Sequence, residues 1–158
     1  MAVPKFESKL QGSFQVTSWK NVIIDELPDD PNDVWGSAGP FHPAPSNYIV
    51  QTDQPIHVHT QWNVKGALAS ILGGEWRVAV YFEKYGGGEA NPGEYMGKTA
   101  HIQSLNHTYN MTITVPAKDL KPGLYNVAIA ITFFSDAGVP LPVAGFADLG
   151  MVQYYEAK

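Results

Sequence analysis

Residues 120–134 read LKPGLYNVAIAITFF, a turn that runs straight into an alternating strand. Pro122 fixes its own φ and Gly123 tolerates positive φ, the combination a tight turn needs. From Tyr125 the period is two. Tyr125, Val127, Ile129, Ile131 and Phe133 fall on one face, and Asn126, Ala128, Ala130 and Thr132 on the other. Five large apolar residues on one face predict a strand laid against a core.

Upstream, Tyr109, Met111, Ile113 and Val115 alternate with Asn110, Thr112 and Thr114 as far as Pro116, and AKDLKPG then joins the two strands. A connection of that length suits a crossing between sheets. The pattern resembles the E-to-F corner of immunoglobulin-like and fibronectin type III-like sandwiches, over residues 48–155. That resemblance implies a tyrosine near the start of the second strand, hydrogen-bonded back across the corner. It is a resemblance of fold, and the fold hosts many unrelated activities.

Further strands are expected over 14–24, with a bulge near Ser18, and at 48–50. Others follow at 55–64, where Ile56, Val58, Thr60, Trp62 and Val64 share the core parity, and at 76–82 ahead of the glycine turn at 86–88. A last strand, with Ala147, Leu149 and Met151 inward, is expected to continue to Tyr155. About seven strands specify an all-β, two-sheet antiparallel Greek-key β-sandwich of immunoglobulin-like type, as a single domain over 1–158. Residues 26–47 break every period, with five prolines and Gly36 and Gly39, and are expected to form a long loop or arm.

At 158 residues the chain is long enough to bury a core without a covalent staple. It has no cysteine, which removes disulfides, thiolate nucleophiles and zinc–thiolate sites. Residues 1–10 lack the apolar stretch of a signal peptide and no apolar run is long enough to cross a bilayer, so neither a leader nor a membrane span is expected, and the compartment stays open. A net charge of −5 with ten scattered Lys and Arg argues against nucleic acid as a partner. Charged residues are 16% of the chain and aromatic residues 12%, so much of the surface is weakly polar and suited to contact with a partner.

His57 and His59, in PIHVHTQW, are two apart on an expected strand and share a face, so both imidazoles can reach one divalent metal. The run resembles the His-Val-His of copper/zinc superoxide dismutases and the His-x-His of cupins. The first resemblance implies a histidine-rich loop, for which only His42, His101 and His107 remain. The second implies a glutamate close behind, where Gln61 and Asn63 stand instead. A metal-dependent β-fold enzyme centred on the pair needs His101, His107 or a loop carboxylate as third ligand. Alternation alone also puts polar residues at 57, 59, 61 and 63, and a solvated strand face then explains them without a cofactor.

Other catalytic templates are missing. Ser37 in WGSAG lacks the spacing of a nucleophile elbow. Glu83, Glu89 and Glu94 flank a hairpin tip, where carboxylates are solvated. The stretch PGEYMGKT (92–99) places Pro92 where a phosphate loop needs its first glycine. The balance leans away from an enzyme.

The surface pattern carries more. In an immunoglobulin-like arrangement the strands at 76–82 and 125–133 are neighbours, which gathers Ala79, Tyr81, Ala128, Ala130 and Thr132 on one flat outer face. With Trp35 and Phe41 of the arm, and Val139, Leu141 and Val143 of the apolar loop after Ser135, they form the expected partner-binding set. The chain is therefore expected to be a binding or assembly module acting through protein–protein contacts, with a foreign protein or with itself as a homo-oligomer. The alternative is a carbohydrate-binding module that stacks sugars on Trp19, Trp35, Tyr85, Tyr95, Tyr154 or Tyr155. No cofactor is expected beyond the metal considered at His57 and His59.

Overall fold

The run at 125–133 is a buried strand in the computed structural model of the protein, which describes residues 3–8, 12–17, 22–25, 49–86 and 88–156. Tyr125, Val127, Ile129, Ile131 and Phe133 are all buried, because that face of the pleat meets a second sheet. This strand, β9 (Gly123–Phe134), lies between β6 (Glu75–Lys84) and β10 (Pro140–Tyr155), antiparallel to both. Beyond β6 comes β7 (Gly88–Ala100). The far edge of β10 is divided between β1 (Lys5–Ser8), antiparallel, and β4 (Ile49–Gln51), parallel. These six strands make the larger sheet.

The second sheet is built on β5 (Ile56–Lys65), paired along its whole length with β8 (Asn106–Val115). Its other edge is shared by β2 (Gln15–Thr17) and β3 (Ile23–Asp25). Strands β5 and β8 are neighbours although β6 and β7 intervene in sequence, and β6 and β9 are neighbours although β7 and β8 intervene. This is Greek-key connectivity, and the two sheets form an open sandwich, not a closed barrel. Among the described residues the apolar stretch 66–74 contributes only a 3-10 turn, Leu68–Ser70, and no helix is long and apolar enough to cross a membrane.

Among the described residues ten strands stand where about seven were expected. The single strand expected over 14–24 is two, β2 and β3, each taking half of the β5 edge; Ser18 lies outside the described residues. Strand β7 absorbs the stretch 92–99, which is extended chain with no resemblance to a phosphate loop. The apolar loop shrinks, because β10 already begins at Pro140 and carries Val143 into the core. Val143 is therefore a packing residue and offers nothing to a partner. The arm at 26–47, with Trp35 and Phe41, lies outside the described residues.

Strand β10 also corrects an expectation about Met151. A bulge between Asp148 and Gly150, held by the Gly150 N–H donating to Asp148 Oδ1 at 2.9 Å, inserts one residue and reverses the parity. Ala147 and Leu149 point inward before it, Val152 and Tyr154 after it, and Met151 is turned to the outside.

One aromatic cluster ties the sheets together. Trp62 stacks on Tyr109 with ring centroids 5.3 Å apart, Trp76 lies 4.8 Å from Phe133, and Phe14 lies 5.3 Å from Phe133. Each large side chain so buried contributes about 1.5–3 kcal/mol before its ordering entropy is charged. At the corner between β8 and β9 the Tyr125 hydroxyl donates to the Lys121 carbonyl at 2.7 Å. The bond closes the turn that Pro122 and Gly123 open, and burial pushes the Tyr125 hydroxyl above its ordinary pKa.

His101 is built into this core. Trp76 Nε1–H donates to His101 Nδ1 at 3.2 Å, so Nδ1 accepts and Nε2 carries the proton, which it gives to the Ala69 carbonyl at 2.8 Å. The Tyr109 hydroxyl lies 3.1 Å from the same Nδ1 and accepts the Ile102 N–H at 2.8 Å. Burial lowers the His101 pKa from its ordinary 6.5, with nearby His107 acting in the same direction and the Ala69 carbonyl opposing. The unfolded chain then binds a proton that the folded chain refuses, so this contribution to stability is complete above about pH 6.5 and is lost as pH falls below it. Urea titrations between about pH 7.5 and about pH 5.5 are expected to show the wild type losing stability over this range. His101→Gln should give a flatter profile, whatever its absolute stability; parallel profiles would refute the assignment.

Candidate interaction face

The register of the larger sheet builds the outer face row by row. Met96 of β7, Ala79 of β6, Ala130 of β9 and Phe146 of β10 are successive cross-strand partners, so they form one row perpendicular to the strands. One row along, Tyr81, Ala128 and Asp148 stand side by side; on the other side of the apolar row stand Lys98, Arg77, Thr132 and Ala144. The expected set Ala79, Tyr81, Ala128, Ala130 and Thr132 is thus brought together on one outer face. Met96, Phe146 and Met151 share it, and expectation from sequence had passed over them.

The relief of this face follows from side-chain size. Phe146 is 60% exposed, Met96 52% and Tyr81 42%, whereas Ala79 and Ala130, which stand between Phe146 and Met96, are each 8% exposed. Two short side chains flanked by long ones leave a trough with an alanine floor. The Arg77 guanidinium lies 3.8 Å over the Phe134 ring and is paired with Glu75 Oε1 at 2.6 Å, so its charge is engaged within the chain. At that end of the face a cleft of ≈ 630 Å³ is lined by Glu75, Arg77, Lys98, Thr99, Ser135 and Asp136 among others. Val139 beside it is exposed, and Leu141 is half-buried against the core.

The histidine pair lies on the other sheet. His57 Nδ1 is 3.1 Å from Thr114 Oγ1, His59 Nδ1 is 2.9 Å from Thr112 Oγ1, and the two rings are 6.0 Å apart. His59 is only 2% exposed, so it is no solvated strand face. It belongs to a ladder of cross-strand polar pairs that continues with Gln61 Nε2 donating to Asn110 Oδ1 at 2.8 Å and Asn63 Nδ2 donating to Asn106 Oδ1 at 2.7 Å. His101 and His107 point into the sandwich, where His101 holds Trp76 and His107 lies edge-on to Tyr109 at 4.6 Å. Neither shares a face with His57 and His59. Among the described residues no cluster of three metal-ligating side chains forms.

The rings considered for sugar stacking are scattered. Trp19 and Trp35 lie outside the described residues, and Tyr154 is buried in the core. The Tyr95 hydroxyl donates to Asp119 Oδ2 at 2.6 Å, and burial together with that carboxylate raises its pKa. Tyr155 accepts from Gln51 Nε2 at 2.7 Å, while Tyr85 projects from the turn after β6. No protein-family model matches the chain, and no curated protein matches it.

Proposed function

We propose that the chain is a non-catalytic, immunoglobulin-like β-sandwich that binds protein through the outer face of its six-stranded sheet. The observation that carries this reading is the exposure of Tyr81, Met96, Phe146 and Met151 around an alanine-floored trough, on a sheet whose other face is already filled by the core. Aromatic and methionine side chains at the centre of a weakly charged face are what protein contact surfaces concentrate. The immunoglobulin-like assignment is supported by the Greek-key order of the strands and by the Tyr125 to Lys121 corner bond.

The test is photocrosslinking in the cells that make the protein. A benzophenone side chain at position 96 or 146 should give covalent adducts with protein, and the same group at position 71, exposed at the end of the sandwich, should not. Equal yields at face and control positions, or no adduct from the face, would refute the reading.

A further inference from the structure

We infer that the partner on this face is a second copy of the same chain, joined by an isologous contact in which Phe146 of each copy fills the alanine trough of the other. This inference rests on the reading of the face as a protein-contact surface. A two-fold contact requires knob and hole to be present together on one surface, because the patch must complement itself. Both are present here in a single cross-strand row: the exposed Phe146 ring, and beside it the floor of Ala130 and Ala79.

The geometry places the axis. Strands in a sheet are about 4.8 Å apart, so the trough, centred between β9 and β6, lies about 7 Å from the Phe146 position on β10. A two-fold axis parallel to the strands, between β10 and β9, exchanges the two sites. Phe146 then lies over Ala130 and Ala79 of the second copy, and Asp148, two residues further along β10, comes to the row of Tyr81 and Ala128. Because the axis runs near the middle of the sheet, almost the whole face is covered.

The area is sufficient. Five strand widths at about 4.8 Å and a ten-residue strand such as β6 at about 3.4 Å per residue give a face on the order of 800 Å². That is about what each partner contributes to an interface of standard size. An alanine floor opposite a second sheet about 10 Å away would leave a void, and the phenyl ring of the other copy fills it.

Light scattering on the purified chain from about 1 to about 500 μM, a range that brackets the weaker interfaces of this size, is expected to show the mass of two chains. Phe146→Ala removes the knob and Ala130→Trp fills the hole, so each variant alone should run at half that mass. Mixed, they should recover a heterodimer, because the Phe146 of one variant still meets the open trough of the other. Circular dichroism checks that both are folded; Phe146→Asn serves in place of Phe146→Ala if that variant is not, Ala79→Trp in place of Ala130→Trp, and each substitute too should be monomeric alone. A wild type that stays monomeric, or a Phe146→Ala protein that stays dimeric, would overturn the inference, as would two monomeric variants that fail to recombine. The photocrosslinking separates this failure from that of the broader reading. Adducts at twice the chain mass support self-association, whereas adducts with a different protein leave the face a contact surface and overturn the homodimer.

Discussion

Ile129→Asp should leave no folded protein at room temperature, whereas Ala128→Ser, one residue away, should melt within a degree or two of the wild type. Ile129 is 1% exposed at the centre of β9, and its cross-strand partners, Val80 and Ala147, are also buried. Removing a buried aliphatic side chain of that size costs about 2–5 kcal/mol. An unpaired carboxylate in the same place adds several more, because the cross-strand neighbours Val80 and Ala147 are apolar and cannot pair it. The sum is comparable to the whole stability of a domain, about 5–15 kcal/mol. Ala128 points to the outer face and is only partly buried, so an added hydroxyl meets water or a weakly polar neighbour and costs at most about 0.5 kcal/mol. Circular dichroism melts of the two variants decide the matter. Equal stability would mean that β9 does not present alternate residues to the core and to solvent.

The central strands were legible because each declares its core-facing side by alternation. The inner parity of β5 (Ile56, Val58, Thr60, Trp62, Val64) and that of β6 (Trp76, Val78, Val80, Phe82) are buried throughout, as their period of two required. Edge strand β7 was not legible. It reads GEANPGEYMGKTA, with three glycines and a proline in it, and what makes it a strand is its pairing to β6 rather than its own propensity. The parity change in β10 was hidden for a related reason. A bulge is a matter of register with β9, and nothing in FADLGMVQYY itself says that Leu149 and Met151 should part.

The outer faces divide in the same way. Alternation was enough to gather Ala79, Tyr81, Ala128, Ala130 and Thr132, since once β6 and β9 are neighbours their outward residues must be too. Phe146 and Met96 needed the exact rows, which depend on residues far away in sequence. On the second sheet alternation misled: it assigned His59, Gln61 and Asn63 to water, yet all three are buried. His59 Nδ1 and the amide nitrogens of Gln61 and Asn63 are met by Thr112, Asn110, Asn106 and Thr108 of β8, some 43 to 53 residues further on. A polar side chain can leave solvent when a partner replaces the water it loses, and such pairing is invisible in a local window.

Gly66→Ala should be among the most damaging single methyl additions at the described glycines. Gly66 follows β5 with a φ of +126°, a conformation that side-chain-bearing residues rarely adopt, and its N–H donates to the Leu105 carbonyl at 3.0 Å. A Cβ built there would run into the Ser13 carbonyl and come within 3.0 Å of the Phe14 nitrogen, both backbone atoms that cannot rotate away. Ser13 is also fixed from the other side, since its carbonyl accepts the Leu68 N–H at 2.9 Å, and Phe14 is inserted among Trp76, His101 and Phe133. Relief of the clash therefore has to displace an aromatic side chain of the core. Backbone strain alone costs about 1–3 kcal/mol, and the displaced packing should bring the loss to about 4 kcal/mol or more. Gly86→Ala is the control. It has a φ of +75° but nothing within 4 Å of the added methyl, so it should cost only about 1 kcal/mol. Urea unfolding of the two variants measures the difference. If they are equally destabilised, the close approach of residues 13 and 14 to the end of β5 is not what makes glycine necessary at position 66.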